Sequence, residues 1–280
     1  MRPPIRITDV SPRDGLQNES GVIPTKDKVR LVEFLAASGV DEIEVTSFVS
    51  PKWVPQLGDA SELLSALATP ARKPPPLHTV LIPNAKGLEA ALSPAVAPAI
   101  DGIAVFTAAS ETFSRKNTNA SIAETIERFR PVIETAHNHH WPVRGYISTV
   151  IACPFEGPIA PSKVAEVARL LIDLGVDELD LGDTIGAATP ESTQSMLAAV
   201  AAEAGKEWLT AHHLTLHLHD TFGRAADCVR AALQSGITSF DGSVAGLGGC
   251  PYASTPAARA PGHIDTALLI QTIHSAGFST

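Results

Sequence analysis

No stretch of the 280 residues approaches the roughly 18 consecutive apolar positions a membrane-spanning helix needs, so the sequence predicts neither a helical membrane protein nor a membrane partner. Basic charge is scarce as well: 21 Lys and Arg stand against 30 Asp and Glu, a formal net charge of -9. A general nucleic-acid binder needs a basic face to displace counterions from phosphate, so no nucleic-acid partner is expected. Cysteine is limited to Cys153, Cys228 and Cys250. Their spacing matches no zinc pattern and three thiols cannot all pair, which argues against a zinc module or a disulfide scaffold. Cys228, in "AADCVRAALQ", reads as core filler in a helix. The opening "MRPPIRITDV" reaches a β-like run by Ile5 and leaves no room for a targeting segment, so a cytoplasmic location is the expectation.

Short β-branched runs alternate regularly with longer amphipathic segments. Strands are predicted at "IRITDV" from Ile5, "VDEIEVT" from Val40, "LHTVLI" from Leu77 and "DGIAVF" from Asp101. Four more follow at "VRGYISTVI" from Val143, "VDELDL" from Val176, "LTLHLH" from Leu214 and "ITSFDGSV" from Ile237. Helices such as "KDKVRLVEFLAASG" and "PSKVAEVARLLIDLG" end on glycine, the residue suited to a left-handed helix terminus. Eight βα units in this length predict one domain over residues 1–280, an α/β chain folded as a closed (β/α)8 TIM barrel with its chemistry at the C-terminal ends of the strands. An open doubly wound sheet is the alternative, but "SPRDGLQNES" after the first strand lacks its phosphate-binding glycine fingerprint. The Pro-rich "ATPARKPPP" (68–76) reads as a surface connection.

The barrel makes a testable demand: reactive side chains should gather where strands end. The first strand is expected to end in Arg13 and Asp14, the second in Glu44, the sixth in Asp183 and the seventh in His217 and His219, with Cys250 in the glycine-rich loop after the eighth. On the seventh strand, Thr215, His217 and His219 alternate with leucines, so both imidazoles share one face. Two neutral imidazoles with the Asp14 carboxylate make a set suited to Mg²⁺, Mn²⁺, Co²⁺ or Zn²⁺. Glu44, Asp183 and Arg13 also fit a plainer role as rim ion pairs or caps. Asp220 faces away from the histidines and is suited to capping the helix beyond Gly223.

The motifs "SPRDGLQNE", "EVTSFVSPKWVPQLGD", "SETFSRKN", "GYISTVIACPFEG", "LGDTIG", "LHLHDTFG" and "SVAGLGGCPYA" resemble those of the hydroxymethylglutaryl-CoA lyase family over about Ile5 to Ala253. The resemblance implies a divalent-metal-dependent retro-aldol cleavage of 3-hydroxy-3-methylglutaryl-CoA, an acyl-CoA small molecule, to acetyl-CoA and acetoacetate. It implies metal ligands at Asp14, His217 and His219, an enolate-stabilising Arg13, active-site carboxylates at Glu44 and Asp183, and a catalytic Cys250. Asp183, oriented by Glu44, is the expected base, with a metal-bound histidine as its rival, and Cys250 is the expected acid.

The pattern breaks near the C-terminus. Where the family carries a Gly-Asn pair whose asparagine completes the ligand set, this chain has Gly262-His263 after a longer connection, and Ala267 follows Thr266 where the family has glutamate. His263 is either a replacement ligand, which would move preference from Mg²⁺ towards Mn²⁺, Co²⁺ or Zn²⁺, or a surface histidine near the start of the last helix. Three activities stay open: the lyase named above, a lyase for a related tertiary 3-hydroxyacyl-CoA, and a catalytically silent paralogue. The oligomeric state is open too, a homo-oligomer included.

Overall fold

All eight expected runs form strands in the computed structural model: β1 (Arg6–Asp9), β2 (Glu42–Ser47), β3 (Leu77–Leu81), β4 (Gly102–Ala108), β5 (Val143–Ser148), β6 (Glu178–Asp183), β7 (Leu214–Leu218) and β8 (Ser239–Gly242). The structure describes residues 4–68, 74, 76–210, 212–249 and 262–280. Most of the Pro-rich connection, and Cys250 itself, lie outside the described residues. The strands pair in parallel, in chain order, and β1 is bonded to both β2 and β8. An open sheet would leave β1 or another strand with a free edge, so the closed barrel is the correct alternative.

Helices α1 (Thr25–Ser38), α2 (Ala60–Leu67) and α3 (Ala85–Ala91) follow the first three strands in turn, and α4 (Glu111–Thr118) and α5 (Ile122–Asn138) both follow β4. Then α6 (Pro161–Leu174), α7 (Pro190–Ala204), α8 (Ala225–Gln234) and α9 (Thr266–Ser275) follow β5 to β8. Among the described residues no helix is long and apolar enough to cross a membrane. Cys228 is buried in α8, and Asp220 Oδ1 accepts the N–H of Ala225, the first residue of that helix, at 2.9 Å, although Arg224 and not Asp220 stands at the N-cap position.

Alternation along the strands explains the layering. Ile7, Ile43, Val45, Leu179, Leu181, Leu216 and Phe240 belong to one apolar core beneath the helices. Their neighbours in sequence point the other way, into the barrel, because successive side chains of a strand leave opposite faces. Those inward positions are polar rather than the branched aliphatics common inside such barrels. Arg144 on β5 holds Glu42 at 2.9 Å and Glu178 at 3.3 Å, with Asp241 at 3.6 Å. Buried charges persist only when paired, and although burial alone would disfavour the Arg144 cation, Glu178 and Glu42 hold its pKa well above the ordinary value.

The recurrent phrases "SGVDEIEV" and "LGVDELDL" also find a physical reason. Gly39 and Gly175 stop α1 and α6 with φ of 90° and 101°, a region open to glycine because it has no Cβ. The next valine is buried in the core. The following aspartate then latches the preceding strand: Asp41 Oδ2 accepts the Ile7 N–H and Asp177 Oδ2 accepts the Val143 N–H, each at 2.8 Å.

Candidate metal centre

Beyond Asp9 the chain enters a single π-turn, Ser11–Gly15, in which the N–H groups of both Asp14 and Gly15 donate to the Val10 carbonyl at 2.9 and 3.1 Å. Such turns insert one residue into a helical repeat and so re-aim side chains. Arg13 and Asp14 therefore sit just past β1 rather than at its last residues. The turn is pinned from both sides: Asp9 accepts the Ser11 N–H at 2.9 Å and the Thr266 hydroxyl at 2.7 Å, while Ser11 Oγ accepts the Val244 N–H at 2.6 Å. The β1 and β8 ends of the rim are thereby tied to one another.

His217 projects from β7 into the barrel and His219 lies one residue beyond the strand, on the same face. His263 joins them. Residues 262–264 are bonded between the ends of β7 and β8: Asp220 N–H donates to Gly262 O, Ile264 N–H to Leu218 O and Ser243 N–H to Ile264 O. His263 is 3% exposed and precedes α9, so the surface-histidine alternative is overturned. Asp14, His217, His219 and His263 each offer one ligand atom, all within 4.8 Å of one another. Asp14 Oδ2 lies 3.1 Å from His263 Nε2 and 3.6 Å from His217 Nε2.

The chemistry of these donors suits a divalent cation. Burial pushes the His217 imidazole below its usual pKa and pushes His219 well below, so both are neutral with a lone pair to give. His219 Nδ1 is buried without a hydrogen-bond partner among the described residues. Burial alone would raise Asp14, but the Arg13 guanidinium and His263 hold its carboxyl well below the usual range, as an anion. Burial opposes charge on His263 too, yet its bond to Asp14 raises it; a cation would replace that proton. Two outer partners fix the tautomers: His217 Nδ1 meets Asp241 Oδ2 at 2.9 Å and His263 Nδ1 meets Leu247 O at 2.7 Å, leaving Nε2 of each ring for the cluster.

Arg13 is buried beside this cluster, bonded to Glu44, 3.1 Å from Asp14 Oδ1 and stacked 5.5 Å over the Tyr146 ring. Burial outweighs Arg13 at Glu44 and lifts that carboxyl to about 7, and its Oε1 is buried with no hydrogen-bond partner among the described residues. Asp183 is placed differently. It has the outward parity of Leu179 and Leu181, and its two oxygens accept the Ala187 N–H at 3.0 Å and the Ala188 N–H at 2.8 Å. Burial raises it to about 6 against those two bonds. The structure brings together Arg13, Asp14, Glu44, His217, His219 and His263; among the described residues no hydrogen bond joins Asp183 to Glu44 or to that group. Cys250 is not described, but the loop leading to it is tied to the same rim through Asn18 Nδ2, which donates to Gly249 O at 3.0 Å.

Asp241 and Tyr146 escaped the sequence reading. Both carried a signal: Asp241 alternates with Ser239, and Tyr146 with Arg144, on the inward faces of strands that the pattern did identify.

A model of the HMGL-like family matches residues 4–280. The chain is 46% identical over 278 residues to the mitochondrial hydroxymethylglutaryl-CoA lyase of Arabidopsis thaliana, a match covering 99% of this chain but 56% of that protein, so it spans little more than half the length of that relative. It is 49% identical over 249 residues to the 3-hydroxy-3-isohexenylglutaryl-CoA/hydroxy-methylglutaryl-CoA lyase of Pseudomonas aeruginosa, covering 89% of this chain and 79% of that one. The crystal structure of the HMG-CoA lyase from Brucella melitensis matches with a TM-score of 0.88 at 46% identity, over 99% of this chain and 92% of the other.

Proposed function

The chain belongs to the HMGL-like family, and on that premise we propose that it is a carbon–carbon lyase cleaving 3-hydroxy-3-methylglutaryl-CoA to acetyl-CoA and acetoacetate. The observation that carries this reading is the convergence of Asp14, His217, His219 and His263 within 4.8 Å, next to a buried Arg13–Glu44 pair. Asp14 and the three imidazoles would hold a divalent cation. When bound, such an ion lowers the pKa of a coordinated hydroxyl and orients the substrate oxygens.

The remaining work falls to the chain's own groups. A base takes the proton of the tertiary hydroxyl, the C2–C3 bond breaks, C3 becomes the ketone of acetoacetate, and the electron pair passes to the thioester enolate. Glu44 is the carboxylate suited to the base role: it is buried with one free oxygen, and a pKa of about 7 matches proton transfer near neutrality. This replaces Asp183, whose oxygens are occupied by backbone N–H groups and which serves instead to position the turn after β6. Arg13, held by Glu44 and Asp14, is a fixed cation for the enolate oxygen. Cys250 is the proton donor to C2, which completes acetyl-CoA and leaves a thiolate to be reprotonated from solvent.

A second reading has one observation in its favour: the Pseudomonas aeruginosa relative is named for a substrate with a longer C3 substituent. Both readings share the acyl-CoA thioester and the tertiary hydroxyl. Acetyl-CoA release from 3-hydroxy-3-methylglutaryl-CoA and from its isohexenyl analogue, measured side by side, separates them. Product from the methyl compound supports the proposal, product from the analogue alone supports the second reading, and none from either leaves a silent paralogue.

A further inference from the structure

The cluster is rich in nitrogen for a site that handles oxygen ligands. We infer that His263 makes this centre selective for Zn²⁺ and Co²⁺ over Mg²⁺, with Mn²⁺ between them; the inference rests on the metal-site reading above but not on which acyl-CoA is cleaved. Mg²⁺ is a hard ion that keeps several waters and prefers carboxylate oxygens, whereas imidazole favours the later divalent metals in the order Mn²⁺, Co²⁺, Zn²⁺. Three imidazoles against one carboxylate therefore bias the site away from Mg²⁺.

His263 is built in as a ligand rather than left as a bystander. Its ring is buried, within 4.4 Å of the His219 ring centroid and 4.7 Å of that of His217. Its Nδ1 is engaged by the Leu247 carbonyl at 2.7 Å, so Nε2 is the atom presented, 3.1 Å from Asp14 Oδ2. The backbone around it leaves no slack. A Cβ on Gly248 would lie 2.5 Å from the His263 ring, and one on Gly262 would lie 2.2 Å from the Gly246 carbonyl oxygen. Two glycines are thus required for the imidazole to occupy this place.

The test is metal competition on the full chain. Metal-stripped protein is dialysed against buffered, equal free concentrations of Mg²⁺, Mn²⁺, Co²⁺ and Zn²⁺, and the bound metal is counted by plasma mass spectrometry. Zinc and cobalt should fill the site with Mg²⁺ a minor occupant. His263→Asn, which exchanges the nitrogen donor for an oxygen, should lower the Co²⁺-to-Mg²⁺ affinity ratio by at least about tenfold, since even outer-shell losses at metal sites reach that size. The visible absorption of bound Co²⁺ should change with it. Equal occupancy by Mg²⁺ in the wild-type chain overturns the inference, and so does a variant with the same ratio and the same cobalt spectrum. The wild-type competition decides alone if His263→Asn fails to fold. Selectivity with no turnover of any acyl-CoA would refute the lyase reading and keep this one; turnover with Mg²⁺ filling the site as readily as Zn²⁺ would do the reverse.

Discussion

Removing Asp241 separates metal binding from folding. Its Oδ2 lies 2.9 Å from His217 Nδ1, and that bond decides which nitrogen of the ring is left for the cation. Asp241→Asn keeps an acceptor for the Nδ1–H but removes the charge that makes the imidazole a better donor. Asp241→Ala removes both. Loss of such an outer partner lowers metal affinity by roughly 10- to 100-fold, about 1.4–2.7 kcal/mol, with Asn at the lower end and Ala at the upper. Folding of the metal-free chain should suffer less from the charge change than the buried setting suggests, because Arg144 keeps Glu42 at 2.9 Å and Glu178 at 3.3 Å as nearer partners than Asp241. In the Ala variant the buried His217 N–H is left unpaired, which costs about 1–3 kcal/mol. Calorimetric titration with Mn²⁺ and urea unfolding of the metal-free protein measure the two effects independently. An Asp241→Ala chain that binds Mn²⁺ as tightly as the wild type removes Asp241 from the centre's design.

Other substitutions probe the remaining parts. Arg13→Gln should lower kcat by roughly 10²–10³-fold, as removal of one oxyanion donor does, while Mn²⁺ still binds; retained turnover would exclude Arg13 from enolate stabilisation. Because Glu44 must be ionised to act as base and burial places it at about 7, kcat/KM should rise with pH up to that region, or slightly lower with a cation beside Asp14, and Glu44→Gln should abolish that limb. Linkage gives the sign for the metal-free fold: the native state holds a proton that the unfolded chain has already released, so stability attributable to Glu44 falls as pH rises from the ordinary carboxylate range towards 7. Gly248→Ala, at φ of 106° and against the His263 ring, should weaken Mn²⁺ binding and destabilise the chain by about 1–3 kcal/mol, whereas Gly21→Ala, with open space around the added methyl, should do neither.

The barrel was legible because each strand announces itself by alternation: "LTLHLH" and "VDELDL" place apolar and polar side chains on opposite faces and are bounded by glycine or aspartate turns. The same alternation puts His217 and His219 on one face. At Asp183 the parity of Leu179 and Leu181 points outward, and its oxygens accept the backbone N–H groups of the turn that follows. The π-turn was not foreseeable, since one extra residue in a single turn leaves no periodic trace, yet it sets where Arg13 and Asp14 stand. His263 is visible as a departure, but its burial depends on 262–264 being bonded between the ends of β7 and β8. Contacts of that kind follow from the tertiary return of the chain rather than from any local pattern. Tyr146 and Asp241 lie in strands the pattern identifies, but their partners, Arg13 in the π-turn and His217 on β7, come from elsewhere in the chain.

One titration joins the site to the reaction. Metal-stripped protein is given 3-hydroxy-3-methylglutaryl-CoA and increasing Mn²⁺, and acetyl-CoA and acetoacetate are measured together. No product is expected without metal, equal amounts of the two products with it, saturation at one ion per chain, and a flat response for His217→Ala. Full activity in the stripped protein, or no product at any Mn²⁺ concentration, would contradict this expectation.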